Sequence, residues 1–165
     1  MNELKKVIKV GIADMNMVKA PESIRTSGLG SCVGLVLYDQ ETKKAGLLHV
    51  MLPDSGISKS EPFNHAKFAD TGVDELIKKL AQEGVSVRRL KAKMAGGAQM
   101  FQFNMMRDTM RIGPRNVEAV KFQLNQFKIP LIAEDVGGNS GRTIEFDPET
   151  SKLHVRTVNQ GEKVI

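Results

Sequence analysis

Two nearly continuous apolar runs separated by a polar turn constrain the fold of this chain most strongly. Residues 33–38 and 45–52 are almost entirely apolar, and six polar residues, 39–44, lie between them. Runs of this length without polar interruption are typical of strands that are buried in a sheet. The pattern therefore predicts a buried β-hairpin.

Five further strand-length segments and two helical segments accompany this hairpin. The predicted strands are residues 7–12, 85–94, 129–136, 143–146 and 153–158. Apolar residues recur with helical period at Ala69, Val73, Leu76, Ile77 and Leu80, and again at Val117, Val120, Leu124 and Phe127. Asn64 is the expected start of the first helix, and Gly84 lies where a left-handed residue closes it. About seven strands and two main helices predict an α/β (α+β) fold, a mixed β-sheet sandwich.

Length, charge and cysteine content exclude several classes of protein. The 165 residues, of which 41% are hydrophobic, are expected to form a single domain spanning 1–165. One cysteine rules out an internal disulfide and indicates a reducing compartment. With 24 Lys and Arg against 19 Asp and Glu, the net charge of +5 is too small to indicate nucleic-acid binding. No signal peptide or membrane span is recognisable, so we expect a cytoplasmic protein without membrane insertion.

The only thiol ends a glycine-rich segment, residues 26–32, with the sequence TSGLGSC. Small residues there leave room for a substrate, and the backbone N–H groups near Gly30, Ser31 and Cys32 could stabilise an oxyanion. A nucleophilic role for Cys32 is one hypothesis. The alternative is a small buried cysteine that fills a strand.

His49 favours the nucleophile hypothesis, because hairpin geometry places it near Cys32. If Asp39 opposes Thr42, Cys32 and His49 face each other directly. If Tyr38 opposes Ala45, His49 lies opposite Gly34 and diagonal to Cys32. In both registers the thiol and the imidazole share a face, with Cβ atoms about 4.5 to 8 Å apart.

A thiol and an imidazole at this distance can form a thiolate–imidazolium pair, in which the thiolate attacks. A third group should accept the other N–H of the ring and fix its tautomer. Thr26, six residues before the cysteine, offers a hydroxyl, although a threonine at this position is also explained by strand propensity.

The remaining motifs have weaker functional signals. His65 and His154 lack the spacing of metal ligands, so no metal and no cofactor are expected. The glycines of residues 96–98 and 137–142 are turns or surfaces that line a cleft, and Gly97 is a candidate for either role. Residues 100–110, which are rich in methionine and include Phe101 and Phe103, are either core or a partner-binding surface.

In order and spacing, four motifs resemble the CheD family of chemoreceptor glutamine deamidases over nearly the full chain. They are TSGLGSC (26–32), HVMLPD (49–54), GGA (96–98) and GGNSGR (137–142). The chain has Ser27 where the family usually has an apolar residue, but none of the matched catalytic positions is affected.

The resemblance implies a Cys/His/Thr triad on Cys32, His49 and Thr26, and a fold similar to the catalytic core of cytotoxic necrotizing factor toxins. It also implies deamidation of glutamine side chains in methyl-accepting chemotaxis receptors through a cysteine thioester, and binding of the CheC phosphatase.

Two alternatives to this function remain at this stage. One is a non-catalytic chemotaxis adaptor that binds receptors and CheC through Phe101 and Phe103. The other is a thiol hydrolase of receptor methyl esters, because attack on an ester needs the same pair of residues. The sequence does not separate a preference for the amide from a preference for the ester.

Overall fold

The computed structural model describes residues 6–57, 64–100 and 111–165. Within them the chain forms ten strands and two α-helices, α1 (Ala69–Gln82) and α2 (Ile112–Gln126). The strands are β1 (Val7–Val10), β2 (Met15–Lys19), β3 (Ser23–Leu29), β4 (Val33–Asp39), β5 (Lys44–Val50), β6 (Lys91–Gly96), β7 (Leu131–Val136), β8 (Arg142–Asp147), β9 (Lys152–Thr157) and β10 (Gly161–Val164). The predicted mixed α/β fold with two main helices is confirmed.

The strands form two five-stranded sheets. The first sheet has the order β1-β3-β8-β9-β10, and the second has the order β2-β5-β4-β6-β7. The pairs β1–β3 and β6–β7 are parallel, and the other pairs are antiparallel. The predicted hairpin is β4–β5 at the middle of the second sheet, with Tyr38 opposite Ala45.

The second sheet is covered on both faces, which explains the two apolar runs. Val36, Tyr38 and Leu47 point into a core shared with the first sheet. Leu35 and Leu48 belong to a second core, which the two helices close. Because successive strand residues point to opposite faces, a strand between two cores needs apolar residues throughout.

The first helix begins later than predicted. The side chain of Asn64 accepts the N–H of Ala66 and caps a short 3₁₀ helix, residues 65–67, whereas α1 starts at Ala69. The prediction that Asn64 starts the long helix is therefore wrong, because its side chain caps the 3₁₀ helix that precedes α1. Gly84 follows the helix with φ of +84°, as predicted.

The predicted number of strands is also wrong, because β2, β3 and β10 were missed. The apolar periodicity that marks a buried strand is weak in all three. β2 and β10 are edge strands with exposed polar residues, and β3 carries Arg25, Thr26 and Ser27. The strand predicted at 85–94 begins only at Lys91, because a 3₁₀ helix occupies Val87–Arg89.

Candidate active site

Cys32 lies in the short loop between β3 and β4, residues 30–32, which we call the Cys32 loop. Its side chain is partly buried and packs against the core between the two sheets. Gly96, at the end of β6, touches this loop with φ of +113°. A Cβ at position 96 would collide with the carbonyl oxygen of Cys32. Glycine is therefore needed for β6 to approach the thiol-bearing loop this closely.

His49 lies on β5, fully buried, and faces the first sheet together with Cys32. It pairs with Gly34, as the second of the two predicted registers requires. Cys32 precedes Gly34 by two residues, so it is the diagonal neighbour of His49 rather than its direct partner. The backbone N–H of His49 donates to the carbonyl of Asp14 at 2.9 Å, which fixes the strand at this point.

Thr26 joins the two sheets at the imidazole. Its Oγ1 lies 2.7 Å from Nδ1 of His49 and 2.8 Å from the carbonyl oxygen of Val10. A carbonyl can only accept, so the single hydroxyl hydrogen goes to Val10. Toward the imidazole the hydroxyl oxygen must therefore accept, which places the ring hydrogen on Nδ1. The neutral His49 then has its lone pair on Nε2.

The Nε2 atom of His49 is buried and has no hydrogen-bond partner. Burial lowers the pKa of His49 to about 4, so the ring is neutral at physiological pH. Burial also raises the pKa of the Cys32 thiol. Both shifts favour a neutral thiol and a neutral imidazole at rest, and the thiolate–imidazolium pair stays a prediction. An uncommitted lone pair is nevertheless what a base for the thiol proton requires.

The glycine-rich segment 96–98 holds the Cys32 loop in place. The N–H of Gly97 donates to the carbonyl of Cys32, and the N–H of Ala98 donates to the carbonyl of Gly30, both at 2.8 Å. The N–H of Gly30 itself donates to the carbonyl of Gly28 at 3.1 Å. Gly30 and Gly97 thus adjoin the thiol, but their N–H groups are already engaged. Of the predicted oxyanion donors, this leaves the N–H groups at Ser31 and Cys32, for which the described residues offer no backbone acceptor.

The second glycine-rich segment, residues 137–141, is the turn between β7 and β8, and it adjoins the first. The N–H of Gly137 donates to the carbonyl of Gly96, and the N–H of Gln99 donates to the carbonyl of Gly138. Nearby, Arg142 donates to the same Gly96 carbonyl and to Asp135. Three sequence motifs therefore form one hydrogen-bonded array behind the thiol.

Asn116, which sequence analysis missed, connects the Cys32 loop to the residue that follows β5. It lies on α2, fully buried, and its Nδ2 donates to the carbonyls of Ser31 and Met51, each at 3.0 Å. Ser31 precedes the thiol by one residue, and Met51 follows His49 by two. The sequence signal that could have identified Asn116 was its position as a polar residue on the apolar face of the helix, beside Val117 and Val120.

The predicted partner-binding residues Phe101 and Phe103 lie outside the described residues. The described part of that segment ends at Met100, whose side chain is 46% exposed and lies against Gly30. An apolar side chain therefore borders the Cys32 loop on the solvent side. Among the residues described, no helix has the length and apolarity to cross a bilayer, and no group of three or more potential metal ligands occurs.

The arrangement as a whole is that of a thiol site with a neighbouring base. Cys32 shares a sheet face with a buried imidazole whose tautomer is fixed by Thr26, and the N–H groups at Ser31 and Cys32 meet no backbone acceptor among the described residues. These are the components that cysteine-dependent acyl transfer uses.

The sequence is similar to one family of known proteins. Residues 51–157 match the family model described as CheD chemotactic sensory transduction. A chemoreceptor glutamine deamidase of Halalkalibacterium halodurans is 61% identical over 159 residues, which cover 96% of this chain and 98% of that protein. The deamidase of Bacillus subtilis is 60% identical over 159 residues, 96% of each chain. A probable deamidase of Syntrophomonas wolfei is 49% identical over 162 residues, 98% of this chain and 100% of that protein.

The chain therefore belongs to the CheD family, as its four motifs indicated. The matched region of the family model starts after the Cys32 loop and His49. The alignments with the relatives extend over nearly the whole chain.

Proposed function

We propose that this protein hydrolyses glutamine side chains of chemotaxis receptors to glutamate, with Cys32 as nucleophile, His49 as base and acid, and Thr26 as the residue that orients His49. The observation that carries the proposal is the Thr26–His49 hydrogen bond, with Nε2 left unpartnered on the face shared with Cys32. The names of the relatives, chemoreceptor glutamine deamidases, support the choice of substrate.

In the first half of the reaction, Nε2 of His49 takes the thiol proton as the sulfur attacks the carbon of the carboxamide. The carbonyl oxygen becomes an oxyanion, which the N–H groups at Ser31 and Cys32 are placed to stabilise. When the oxyanion collapses, the C–N bond breaks and the proton on Nε2 leaves with the nitrogen as ammonia. A thioester between Cys32 and the side chain remains.

In the second half, a water molecule takes the position vacated by ammonia. Nε2 accepts a proton from the water as its oxygen attacks the thioester carbon. Collapse breaks the C–S bond, the proton returns to sulfur, and glutamate leaves. Each half begins and ends with neutral His49, which agrees with the lowered pKa of the ring. The residues in these steps need no cofactor.

The receptor must present its glutamine to a shallow surface rather than to a deep pocket, because Cys32 lies in a loop at the edge of the sandwich. Met100 provides an apolar border there. For the rest of the functional assignment, we propose a single cytoplasmic domain that also binds the CheC phosphatase. The Phe101 and Phe103 segment is the predicted contact for receptors or CheC.

The first experiment is intact-mass spectrometry of a purified receptor cytoplasmic fragment incubated with the wild-type protein or with Cys32→Ala. Replacement of one carboxamide by a carboxylate adds about 1 Da, and peptide mapping locates it. We expect the gain with the wild type alone. His154→Gln, at an exposed position on the outer face of the first sheet, is the matched surface control and should behave as the wild type.

Two outcomes would favour the alternatives. If the receptor fragment binds but gains no mass with the wild type, and Phe101 or Phe103 variants abolish binding, the protein is an adaptor. If methyl esters of a methylated fragment are hydrolysed to carboxylates faster than the carboxamides of the unmethylated fragment, the ester is the preferred substrate.

A further inference from the structure

Asn116 is one of two described residues with a buried side-chain polar atom that lacks a hydrogen-bond partner, and the other is His49. The unpartnered atom of Asn116 is Oδ1, while Nδ2 uses both of its hydrogens on the carbonyls of Ser31 and Met51. Two acceptors on one side fix the orientation of the amide, because only the NH₂ group can donate. Burying this amide with Oδ1 unpaired costs free energy, and only the hydrogen bonds to those two carbonyls offset that cost.

The contact with Ser31 controls the direction of the next N–H group. The Ser31 carbonyl and the Cys32 N–H belong to the same peptide unit, and in a trans peptide they point in opposite directions. Asn116 lies on the helix side of the second sheet and draws the carbonyl toward it. The Cys32 N–H is thereby turned toward the opposite side, where His49 lies. It meets no backbone acceptor among the described residues.

The contact with Met51 fixes the other half of the site. Met51 follows His49 by two residues, directly beyond the end of β5. One amide group therefore holds the strand that carries the base and the loop that carries the thiol at a set separation. Ser31 and Met51 are 20 residues apart in the chain, and a hydrophobic contact would constrain their distance but not the orientation of their peptide units.

We infer that Asn116 is a positioning residue for catalysis: it orients the Ser31–Cys32 peptide so that the N–H of Cys32 faces the reacting oxygen, and it fixes the Cys32 loop against the His49 strand. This inference rests on the proposed role of Cys32 as nucleophile. It assigns Asn116 no contact with substrate. Its effect should fall mainly on the stabilisation of the oxyanion and less on the reactivity of the thiol.

The test uses Asn116→Ala in the full-length protein with three measurements. The first is kcat and KM for receptor deamidation. The second is the rate at which iodoacetamide alkylates Cys32, a reaction that forms no oxyanion. The third is the concentration of butyraldehyde that protects Cys32 from iodoacetamide. The sulfur adds to the aldehyde carbon, and the thiol proton ends on the aldehyde oxygen, so this adduct places an oxygen where the oxyanion forms.

We expect kcat to fall about 10- to 100-fold, less than the loss of a whole oxyanion donor, with KM within about twofold. The dissociation constant for butyraldehyde should rise by a similar factor, while the alkylation rate falls by a smaller factor, because the Cys32 loop is also less firmly held against the His49 strand. An unchanged butyraldehyde constant in Asn116→Ala would overturn the inference.

Loss of stability is separated from loss of positioning by Val120→Ala, which truncates a fully buried side chain one helical turn beyond Asn116. We expect this control to lower the melting temperature and to leave kcat and the butyraldehyde constant unchanged. An equal fall of kcat in both variants, at equal loss of stability, would show that Asn116 is merely structural.

If Asn116→Ala does not fold, Asn116→Asp takes its place. It keeps the shape of the side chain and can donate at most one hydrogen, and only when protonated. Its kcat relative to wild type should fall further as pH rises, because a carboxylate would face two carbonyl oxygens. A ratio that does not change with pH contradicts the inference. A wild type that binds butyraldehyde in an Asn116-dependent way but deamidates no receptor would refute the proposed function and leave this inference standing.

Discussion

His49 and Lys93 are two basic side chains buried in the same layer between the sheets, but they differ in their hydrogen bonds. His49 lies in the cross-strand row of Gly34 and Ala95, and Lys93 lies in the next row, opposite Val36. Nζ of Lys93 donates to the main-chain oxygens of Ser151 and Ile165. Nδ1 of His49 is bonded to Thr26, whereas its Nε2 has no partner.

Burial lowers the pKa of both groups, to about 4 for His49 and in the same direction for Lys93. The perturbed pKa alone therefore does not identify the functional residue. The difference lies in hydrogen bonding, since a buried polar atom that only supports the fold is normally satisfied. The unsatisfied Nε2 is explained if its partner is a proton that moves during the reaction.

The largest expected effect is that of His49→Gln, which removes the only free base in this layer among the described residues. We expect kcat for deamidation to fall at least about 10⁴-fold, as for the loss of a catalytic histidine in other triads. The free energy of unfolding at neutral pH should fall by about 1 kcal/mol, because the hydrogen bond between Nδ1 and Thr26 is lost, whereas Nε2 had no partner to lose. Steady-state kinetics measure kcat, and urea unfolding measures the free energy of unfolding. Retention of even a tenth of the wild-type rate would remove His49 from the mechanism.

The next largest effect should come from Thr26→Val, which keeps the shape of the side chain and removes the hydroxyl. Without an acceptor at Nδ1, the ring can move its hydrogen to Nε2, where it blocks transfer of the thiol proton. We expect kcat to fall about 10²- to 10³-fold with KM unchanged, a smaller loss than for the absence of the ring. Thr26→Ser restores the acceptor and should recover most of the rate. If valine and serine variants are equally active, the hydroxyl has no role in catalysis.

A third prediction concerns the dependence of stability on pH. The folded-state pKa of His49, about 4, is below its value of about 6.5 in the unfolded chain. The unfolded state therefore binds a proton first as pH falls, and the contribution of His49 to stability is complete above about pH 6.5 and is lost as pH falls toward 4. Between pH 7.5 and 5 the wild type should lose about 2 kcal/mol more than His49→Gln. Urea titrations of both proteins at the two pH values measure this difference, and parallel losses would contradict the lowered pKa.

The hairpin and its register illustrate what could be predicted from the sequence. A strand between two cores is apolar throughout, so residues 33–38 and 45–52 were recognisable, and the polar turn between them restricted the pairing to two registers. Both registers placed Cys32 and His49 on one face, and the structure has the one with Gly34 opposite His49. The local pattern was sufficient here because the relevant contacts are between neighbouring strands.

The remainder of the site depends on contacts that are distant in sequence. Thr26 reaches His49 across two sheets, and Asn116 reaches the Cys32 loop from a helix 85 residues later in the chain. β3 was missed because Arg25, Thr26 and Ser27 interrupt its apolar pattern, yet it is the strand that carries the orienting threonine. The sequence motifs pointed to these regions, but periodicity measures burial and does not identify hydrogen-bond partners.

The smallest expected effect is that of Lys93→Met, which tests the other side of the comparison. Methionine fills a similar volume and removes the cost of burying a charge, but the main-chain oxygens of Ser151 and Ile165 lose their donor. These two effects oppose each other, so we expect a net destabilisation of about 1 kcal/mol, with kcat within about twofold of the wild type. Urea unfolding and the deamidation assay check the two values. A tenfold loss of kcat in a protein of nearly unchanged stability would mean that Lys93 influences the reaction. The presence of hydrogen-bond partners would then no longer distinguish a structural buried base from a catalytic one.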